Sequence, residues 1–114
     1  MTREEWRARL VVEGRKVRDY LLDAGHPTGY PKARFFAGIG FEKGDHAIFS
    51  DALLDHGRLC DLIETSVVYE CVRYRVEGLL VAPRPSDMTI RTVWQDEGDT
   101  VRLVTACPIG RRSG

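Results

Sequence analysis

A histidine and a lysine lie on either side of a turn rich in proline and glycine. His26 and Lys32 are six positions apart in the segment HPTGYPKARFF. Because this segment breaks one predicted helix from the next, both side chains can lie at one edge of the fold. There an imidazole would act as a general base or acid, and an ammonium would stabilise an anion. Taken alone, the segment favours a simpler role, in which His26 caps the preceding helix and Lys32 is a solvated first-turn residue.

An arginine and two threonines on predicted strands extend this set. Alternation along TIRTVW puts Arg91 on an open face of the sheet and Thr92 on the other face, with its hydroxyl bonded locally. A guanidinium such as that of Arg91 can hold a phosphate through two parallel hydrogen bonds, or it can pair with Glu70 or Glu77. Thr105 would donate to the same phosphate from beside Arg91 if the last two strands pair around DEGD.

The last strand has two competing interpretations. Strict alternation along VRLVTACP groups Leu103, Thr105 and Cys107 on one face. Threonine is also an ordinary strand residue, and a nucleophilic Cys107 would need a cation that lowers its pKa. The threonine is therefore a supporting hydrogen-bond donor at most, and the cysteine is not expected to react.

Composition limits the possible classes of protein. The chain has 114 residues, of which 43% are hydrophobic and 30% charged, as in one globular domain without a membrane span. Three cysteines without a CxxC pair favour reduced thiols, and the N-terminus lacks an apolar signal core, so the expected location is cytoplasmic. His56 and Cys60 can share a helix face, with His46 upstream, but a fourth zinc ligand is missing. We expect no metal and no cofactor.

The period of the apolar residues changes in the middle of the chain. Spacing of three and four predicts helices over about 14–23, 31–40 and 45–57, which glycines and prolines separate. After Arg58 the period becomes two, and strands are predicted in TSVVYECVRYRVEGLLVAP, MTIRTVWQ and TVRLVTACP, the last closed by Pro108. Helices followed by antiparallel strands indicate an α+β fold.

The predicted domain spans residues 1–114, with a core over 10–108 and a flexible tail over 109–114. In it, N-terminal helices pack on one face of a mostly antiparallel four-stranded sheet, and the opposite face is the natural place for a site. Net charge is zero, but residues 1–34 sum to +3 and residues 35–64 to −4. A basic first segment next to an acidic third helix predicts a polarised surface.

Four motifs in order resemble a family of small bacterial domains of unknown function. The motifs are VRDYLL, GHPTGYPKARFF, RTVW and RLVTACP, and the resemblance runs from about residue 10 to 108. Such domains look like toxin-type members of the barnase/EndoU/colicin/RelE-like (BECR) ribonuclease group. The resemblance implies N-terminal helices on a four-stranded antiparallel sheet, an RNA substrate, and a cognate antitoxin or immunity protein.

Motif by motif, the resemblance implies a site made of His26, Lys32, Arg91, Thr92 and Thr105. We therefore expect a metal-independent endoribonuclease toxin. In it His26 is the base or acid, Lys32 and Arg91 bind phosphate, Thr105 is a supporting donor and Thr92 a secondary candidate. Two alternatives remain open. One is a non-catalytic binding module, such as an antitoxin, inhibitor or regulatory subunit, that presents the acidic third helix to a basic partner. The other is an enzyme acting on a phosphate-containing small molecule.

Overall fold

Apart from one two-residue strand near the N-terminus, the described helices precede the strands, as the change in period predicts. The structure is a computed structural model that describes residues 4–16 and 30–111. Its helices are a 3-10 helix Glu5–Arg9, α1 (Gly14–Lys16), α2 (Tyr30–Gly38), a second 3-10 helix Lys43–Asp45 and α3 (His46–Leu59). Its strands are β1 (Leu10–Val11), β2 (Asp61–Val68), β3 (Cys71–Leu79), β4 (Met88–Asp96) and β5 (Val101–Arg111).

The strands form one five-stranded sheet in the order β1-β5-β4-β3-β2. β2 to β5 pair antiparallel with their sequence neighbours, whereas β1 runs parallel to β5 through Leu10 with Val101 and Val11 with Arg102. The mixed α+β class is as predicted, but the four-stranded antiparallel sheet is wrong. A strand of two residues is too short to leave a periodic pattern, so β1 could not be found from the sequence.

The β2–β3 and β4–β5 hairpins, which have tight turns, differ in how clearly those turns are encoded. In the β4–β5 turn, Gly98 has φ +95°, and the hairpin predicted at DEGD is confirmed. In the β2–β3 turn, Tyr69 and Glu70 adopt φ of 49° and 67°, a left-handed conformation that usually selects Gly or Asn. The predicted end of the last strand at Pro108 is wrong. β5 continues beyond it to Arg111, with β4 on one side only, and an edge strand tolerates proline at positions where the N–H would point away from the ladder.

Aromatic packing joins α2 to α3. α2 begins one residue before Pro31 and is followed by Gly40 with φ +103°, so the predicted limits of this helix are confirmed. Phe36 of α2 is fully buried against Phe49 of α3, with ring centroids 4.6 Å apart, and Phe41 packs on Phe49 at 4.5 Å. These rings form the helical side of the core.

The C-terminal turn of α3 is fixed by a close approach and by an arginine. A Cβ on Gly57 would lie 2.6 Å from the Trp94 ring and 2.7 Å from Leu10, so this glycine allows the helix to contact the sheet. It does not end the helix as predicted, since α3 continues to Leu59. Nη1 of Arg7 donates to the carbonyl oxygens of Gly57 (2.9 Å) and Cys60 (2.7 Å), and so caps the helix C-terminus.

The core lies between α3 and the inner face of the sheet. Its largest fully buried side chains are Trp94, Phe36, Phe49, Leu53, Ile90, Leu103, Val76, Val101 and Thr92. Within the ranges 4–16 and 30–111, no helix is both long and apolar enough to cross a bilayer.

Candidate active site on the open face of the sheet

The side of the sheet opposite α3 presents polar side chains in register across its strands. We call this surface the open face. Strand pairing arranges it in three rows: Ser66–Arg73–Gln95–Arg102, Glu64–Arg75–Val93–Thr105, and Glu77–Arg91–Cys107. Residues two apart on one strand share a face and lie about 7 Å apart, so neighbouring rows can contact the same ligand.

A carboxylate lies between two guanidiniums near the middle of the open face. Oε2 of Glu77 is 3.0 Å from Nε of Arg91 and 3.4 Å from Nε of Arg75. Nη2 of Arg75 also lies 3.6 Å from the carboxylate of Glu64. The side chains of Glu77, Arg75 and Arg91 are 19%, 33% and 35% exposed, so all three reach solvent. Of the two partners considered for Arg91, strand pairing selects Glu77.

The guanidinium of Arg91 keeps hydrogen-bonding capacity in this arrangement. Its contact with Glu77 uses Nε, and its two Nη groups make no hydrogen bond to another described residue. Those Nη groups are part of the fork that matches a phosphate. The ion pair therefore fixes the direction of Arg91 without using the whole donor set.

Arg73 has the least neutralised charge of the open-face arginines. Its Nε donates to the amide oxygen of Gln95 at 3.0 Å, and no carboxylate of the described residues lies within 4.0 Å of it. Arg102 at the other end of the same row contacts Glu97 at 3.1 Å and Glu13 at 3.8 Å. The hydrogen bond from Arg102 lowers the pKa of Glu97, which keeps this pair charged. Arg73 is thus the guanidinium best placed to take an external anion.

A β-bulge brings Thr105 to the open face. The register of β5 against β4 shifts at Val104, so Leu103 faces the core and is fully buried, while Thr105 lies on the other side of the sheet. The prediction that Leu103 and Thr105 share a face is wrong, because one extra residue reverses the alternation. Cys107 pairs with Arg91, and Thr105 is the diagonal neighbour of Arg91.

The predicted site residues separate into three groups. Arg91 and Thr105 share the open face. Thr92 faces the opposite way and is 0% exposed, so it is a core residue rather than a phosphate ligand, as strand alternation requires. His26 lies outside the described residues, as does the side chain of Lys32, whose backbone is in the first turn of α2. Whether these two converge with Arg91 stays a prediction.

His56 of α3 is buried against the inner face of the sheet, and its hydrogen-bonded role there was not predicted. Nε2 of His56 lies 2.9 Å from the carbonyl oxygen of Ile90 and 3.1 Å from that of Gly78, and Nδ1 lies 3.0 Å from Oγ1 of Thr92. Nε1 of Trp94 donates to the same Oγ1 at 2.8 Å. Because carbonyl oxygens only accept, Nε2 bears the proton and the neutral Nδ1 accepts from Thr92. Burial lowers the pKa of His56, in agreement with this neutral form.

These hydrogen bonds also argue against His56 as a ligand of the metal site considered from the sequence. Both ring nitrogens of His56 are bonded to protein groups, so neither offers a lone pair to an ion. The thiol of Cys60 donates to the carbonyl oxygen of Leu79 at 3.5 Å, and burial raises its pKa. Among the described residues, no three His, Cys, Asp or Glu side chains converge as metal ligands.

Some missed residues had a detectable signal and others did not. Alternation along VRYRVEG places Arg73, Arg75 and Glu77 on one face, but only the strand register reveals that Glu77 lies opposite Arg91. His56 continues the apolar stripe of Phe49 and Leu53 at helical spacing, which is the pattern of a buried histidine. Its partners on β4 are distant in the sequence and left no local pattern.

Comparisons with known proteins identify the family without identifying an activity. No curated protein and no solved structure shows a significant match to this chain. A family model described as a domain of unknown function, DUF6883, matches residues 4–110. This range includes α3 and all five strands, except for the last residue of β5. The chain therefore belongs to the DUF6883 family of domains.

Proposed function

We propose that this protein is a metal-independent endoribonuclease of the toxin type, which cleaves RNA on the open face of a BECR-like sheet. The observation that supports the proposal is the carboxylate of Glu77 in contact with the guanidiniums of Arg75 and Arg91 on a solvent-exposed sheet surface. Such cleavage uses a base next to cations that bind the phosphate, together with an acid for the leaving oxygen. RNA is the proposed substrate, and a cognate antitoxin or immunity protein is the proposed partner.

The cleavage step assigns a role to each open-face group. Glu77 accepts the proton of the ribose 2′-OH as the 2′ oxygen attacks phosphorus. Arg75 and Arg91 stabilise the negative charge that develops on the phosphorane oxygens. As the bond from phosphorus to O5′ breaks, a general acid protonates O5′, leaving a 2′,3′-cyclic phosphate and a 5′-hydroxyl. His26 is the proposed acid and Lys32 a further cation, on the basis of the motifs.

The neighbouring rows supply substrate contacts. Arg73 hydrogen-bonds only an amide among the described residues, so it can take a second phosphate of the strand. Thr105 stays a proposed supporting donor, since it occupies the row next to Arg91. Because the Glu77 carboxylate offsets part of the arginine charge, we expect selective rather than tight general RNA binding.

A cleavage assay with a matched glutamate control tests the role of Glu77. Purified protein is incubated with total RNA and with single-stranded oligoribonucleotides in excess chelator, and the product ends are analysed by mass spectrometry. Glu77→Gln should lower kcat/KM by about 10²–10⁴-fold. Glu64→Gln removes a carboxylate of the same face whose ion pair among the described residues is with Arg75, and it should cost less than about tenfold.

Further variants separate binding from chemistry. Arg91→Ala and His26→Ala should lower kcat, whereas Arg73→Ala should mainly weaken RNA binding and its salt dependence. Induced expression of the wild type, but not of Glu77→Gln, should arrest a bacterial host. Intact RNA with the wild type, or equal cleavage by the Glu77 and Glu64 variants, would remove this function.

A further inference from the structure

The outer side of α3 bounds a groove that is separate from the open face. Ile48, Ala52, Asp55 and Leu59 recur at i, i+4, i+7 and i+11 and so form one line along the helix. The facing wall is the segment 81–83, which follows β3. Cavities of about 310 and 130 Å³ lie between the two walls and share lining residues, so they form one continuous depression, which we call the α3 groove.

The apolar side chains of the α3 groove are unusually exposed. Leu59 is 80%, Val81 84% and Ile48 54% accessible to solvent. Exposed apolar residues scattered singly are normal on a protein surface, but these three line adjoining parts of one groove. Removing these side chains from water against a partner is favourable, so the groove has a driving force for association.

The charge of the α3 groove has a single sign. Among the described residues that line it, the charged side chains are Asp51 and Asp55, both exposed, while the buried His56 is neutral. Within the ranges 4–16 and 30–111, no lysine or arginine is among the residues that line either cavity. The wider segment 35–64 has a net charge of −4. Exposed apolar side chains next to the carboxylates of Asp51 and Asp55 are complementary to a segment that bears both apolar and cationic side chains.

We propose that the α3 groove binds an amphipathic helix of another protein, with leucine-like residues on one face and lysine or arginine beside them. The stretch from Ile48 to Leu59 is about 16 Å long at 1.5 Å per residue, which matches three turns of a docked helix. A helix that binds in a groove needs apolar anchors at its own positions i, i+3, i+4 and i+7. Unlike an added β-strand, it does not need an unpaired strand edge on the protein that binds it. This inference does not depend on ribonuclease activity, since α3 and the open-face arginines lie on opposite sides of the sheet.

A peptide titration tests the occupant directly. The probe is a fluorescein-labelled peptide of roughly 18 residues, made of leucine and lysine with leucine on one helical face. One control peptide replaces every lysine with glutamate, and a second scrambles the leucine spacing. The full-length protein should bind the cationic amphipathic peptide, as measured by fluorescence anisotropy, with affinity that falls as salt is raised. Both control peptides should bind at least tenfold more weakly.

Matched variants locate the contact. Leu59→Ser and Val81→Ser should each weaken binding about tenfold or more, and Asp51→Asn with Asp55→Asn should remove most of the salt dependence. Val67→Ser changes an equally apolar residue, 69% exposed on β2, and should leave binding unchanged. All these positions are on the surface, and unchanged circular dichroism confirms that the variants fold.

Several results would overturn the proposal. They are absence of binding by the cationic peptide, equal binding of the anionic or the scrambled peptide, and retention of binding by the Leu59 and Val81 variants. Analytical ultracentrifugation of the protein alone provides a further test. Self-association that is lost in Val81→Ser would place a second copy of this chain in the groove instead. RNA cleavage is measured on the same samples, so failure of one proposal is distinguished from failure of the other.

Discussion

Replacing Thr92 with valine should destabilise the protein far more than the loss of one hydroxyl suggests. The Thr92 side chain is 0% exposed, and its Oγ1 is the hydrogen-bond partner of both His56 and Trp94. Valine has nearly the same shape, so the change creates no cavity. What it removes is a group that donates to Nδ1 of His56 and accepts from Nε1 of Trp94.

The expected cost follows from the two partners that are left behind. Each buried polar group without a hydrogen bond costs about 1–3 kcal/mol. Rotation of His56 offers no relief, because its Nε2 proton is already directed at the carbonyl oxygens of Ile90 and Gly78. Allowing for the added methyl group, we expect Thr92→Val to lower the free energy of unfolding by about 2–4 kcal/mol.

Urea unfolding at neutral pH measures this loss. The matched control is Thr65→Val, an exposed strand threonine on β2, for which the change should stay within about 0.5 kcal/mol. If Thr92→Val lay within the same limit, the hydrogen-bonded network inferred around His56 would be refuted.

The same network gives stability a definite dependence on pH. The pKa of His56 is lowered from 6.5 by burial, so the unfolded chain binds the proton more readily than the folded one. The contribution of neutral His56 is complete above pH 6.5 and is lost as the pH falls toward the lower folded pKa, at up to about 1.4 kcal/mol per pH unit. His56→Gln should lack this component, whereas His46→Gln should keep it. A folded-state pKa of His56 at or above 6.5 by NMR would refute the assignment.

Three further substitutions test other contacts of the fold. Arg7→Gln removes the cap on the last turn of α3 and should cost about 1–3 kcal/mol in urea unfolding; no change would mean that the cap is dispensable. Gly78→Ala places a Cβ 2.6 Å from Sγ of Cys60 and should cost about 1–3 kcal/mol, part of which Cys60→Gly should restore; equal stability of all three proteins would contradict the close contact. Two hydrogen bonds from Arg9, at 3.1 and 3.0 Å, lower the pKa of Asp96, so its contribution to stability is present above pH 4 and is lost on acidification. Asp96→Asn should therefore flatten the loss of stability below about pH 4 in an acid titration, and an unchanged slope would exclude this pair as its source.

Local chemistry explains why some elements could be predicted from the sequence. Pro31 fixes φ in the first turn of α2, and Gly40 permits the positive φ that follows the helix, so the limits of α2 are encoded at those positions. Gly98 likewise permits the positive φ in the turn of the last hairpin. The β2–β3 turn escaped detection because Tyr69 and Glu70 are not turn-forming residues, and their positive φ is imposed by pairing of the long strands on either side.

The sequence left open the features of the site that depend on register, since it offered both Glu70 and Glu77 as partners of Arg91. Alternation alone orders side chains along one strand, whereas the contact of Glu77 with Arg91 is a relation between two strands. The bulge at Val104 reverses the faces of β5 from Thr105 onward, and no glycine or proline marks it. An error of one residue is enough to exchange the core and the open face.

β4 connects the buried network to the open face, because adjacent residues of this strand serve opposite sides of the sheet. Thr92 and Trp94 are fixed to His56 within the core, and Arg91 alternates with them to meet Glu77 outside. A slip of β4 by one residue would bury the guanidinium and expose the indole, at a cost of several kcal/mol. Thr92 therefore contributes to the proposed chemistry by fixing the register that holds Arg91 opposite Glu77, although its hydroxyl never reaches a ligand. The sequence motif RTVW therefore serves both sides of the sheet, since its arginine belongs to the candidate site and its threonine and tryptophan belong to the buried network around His56.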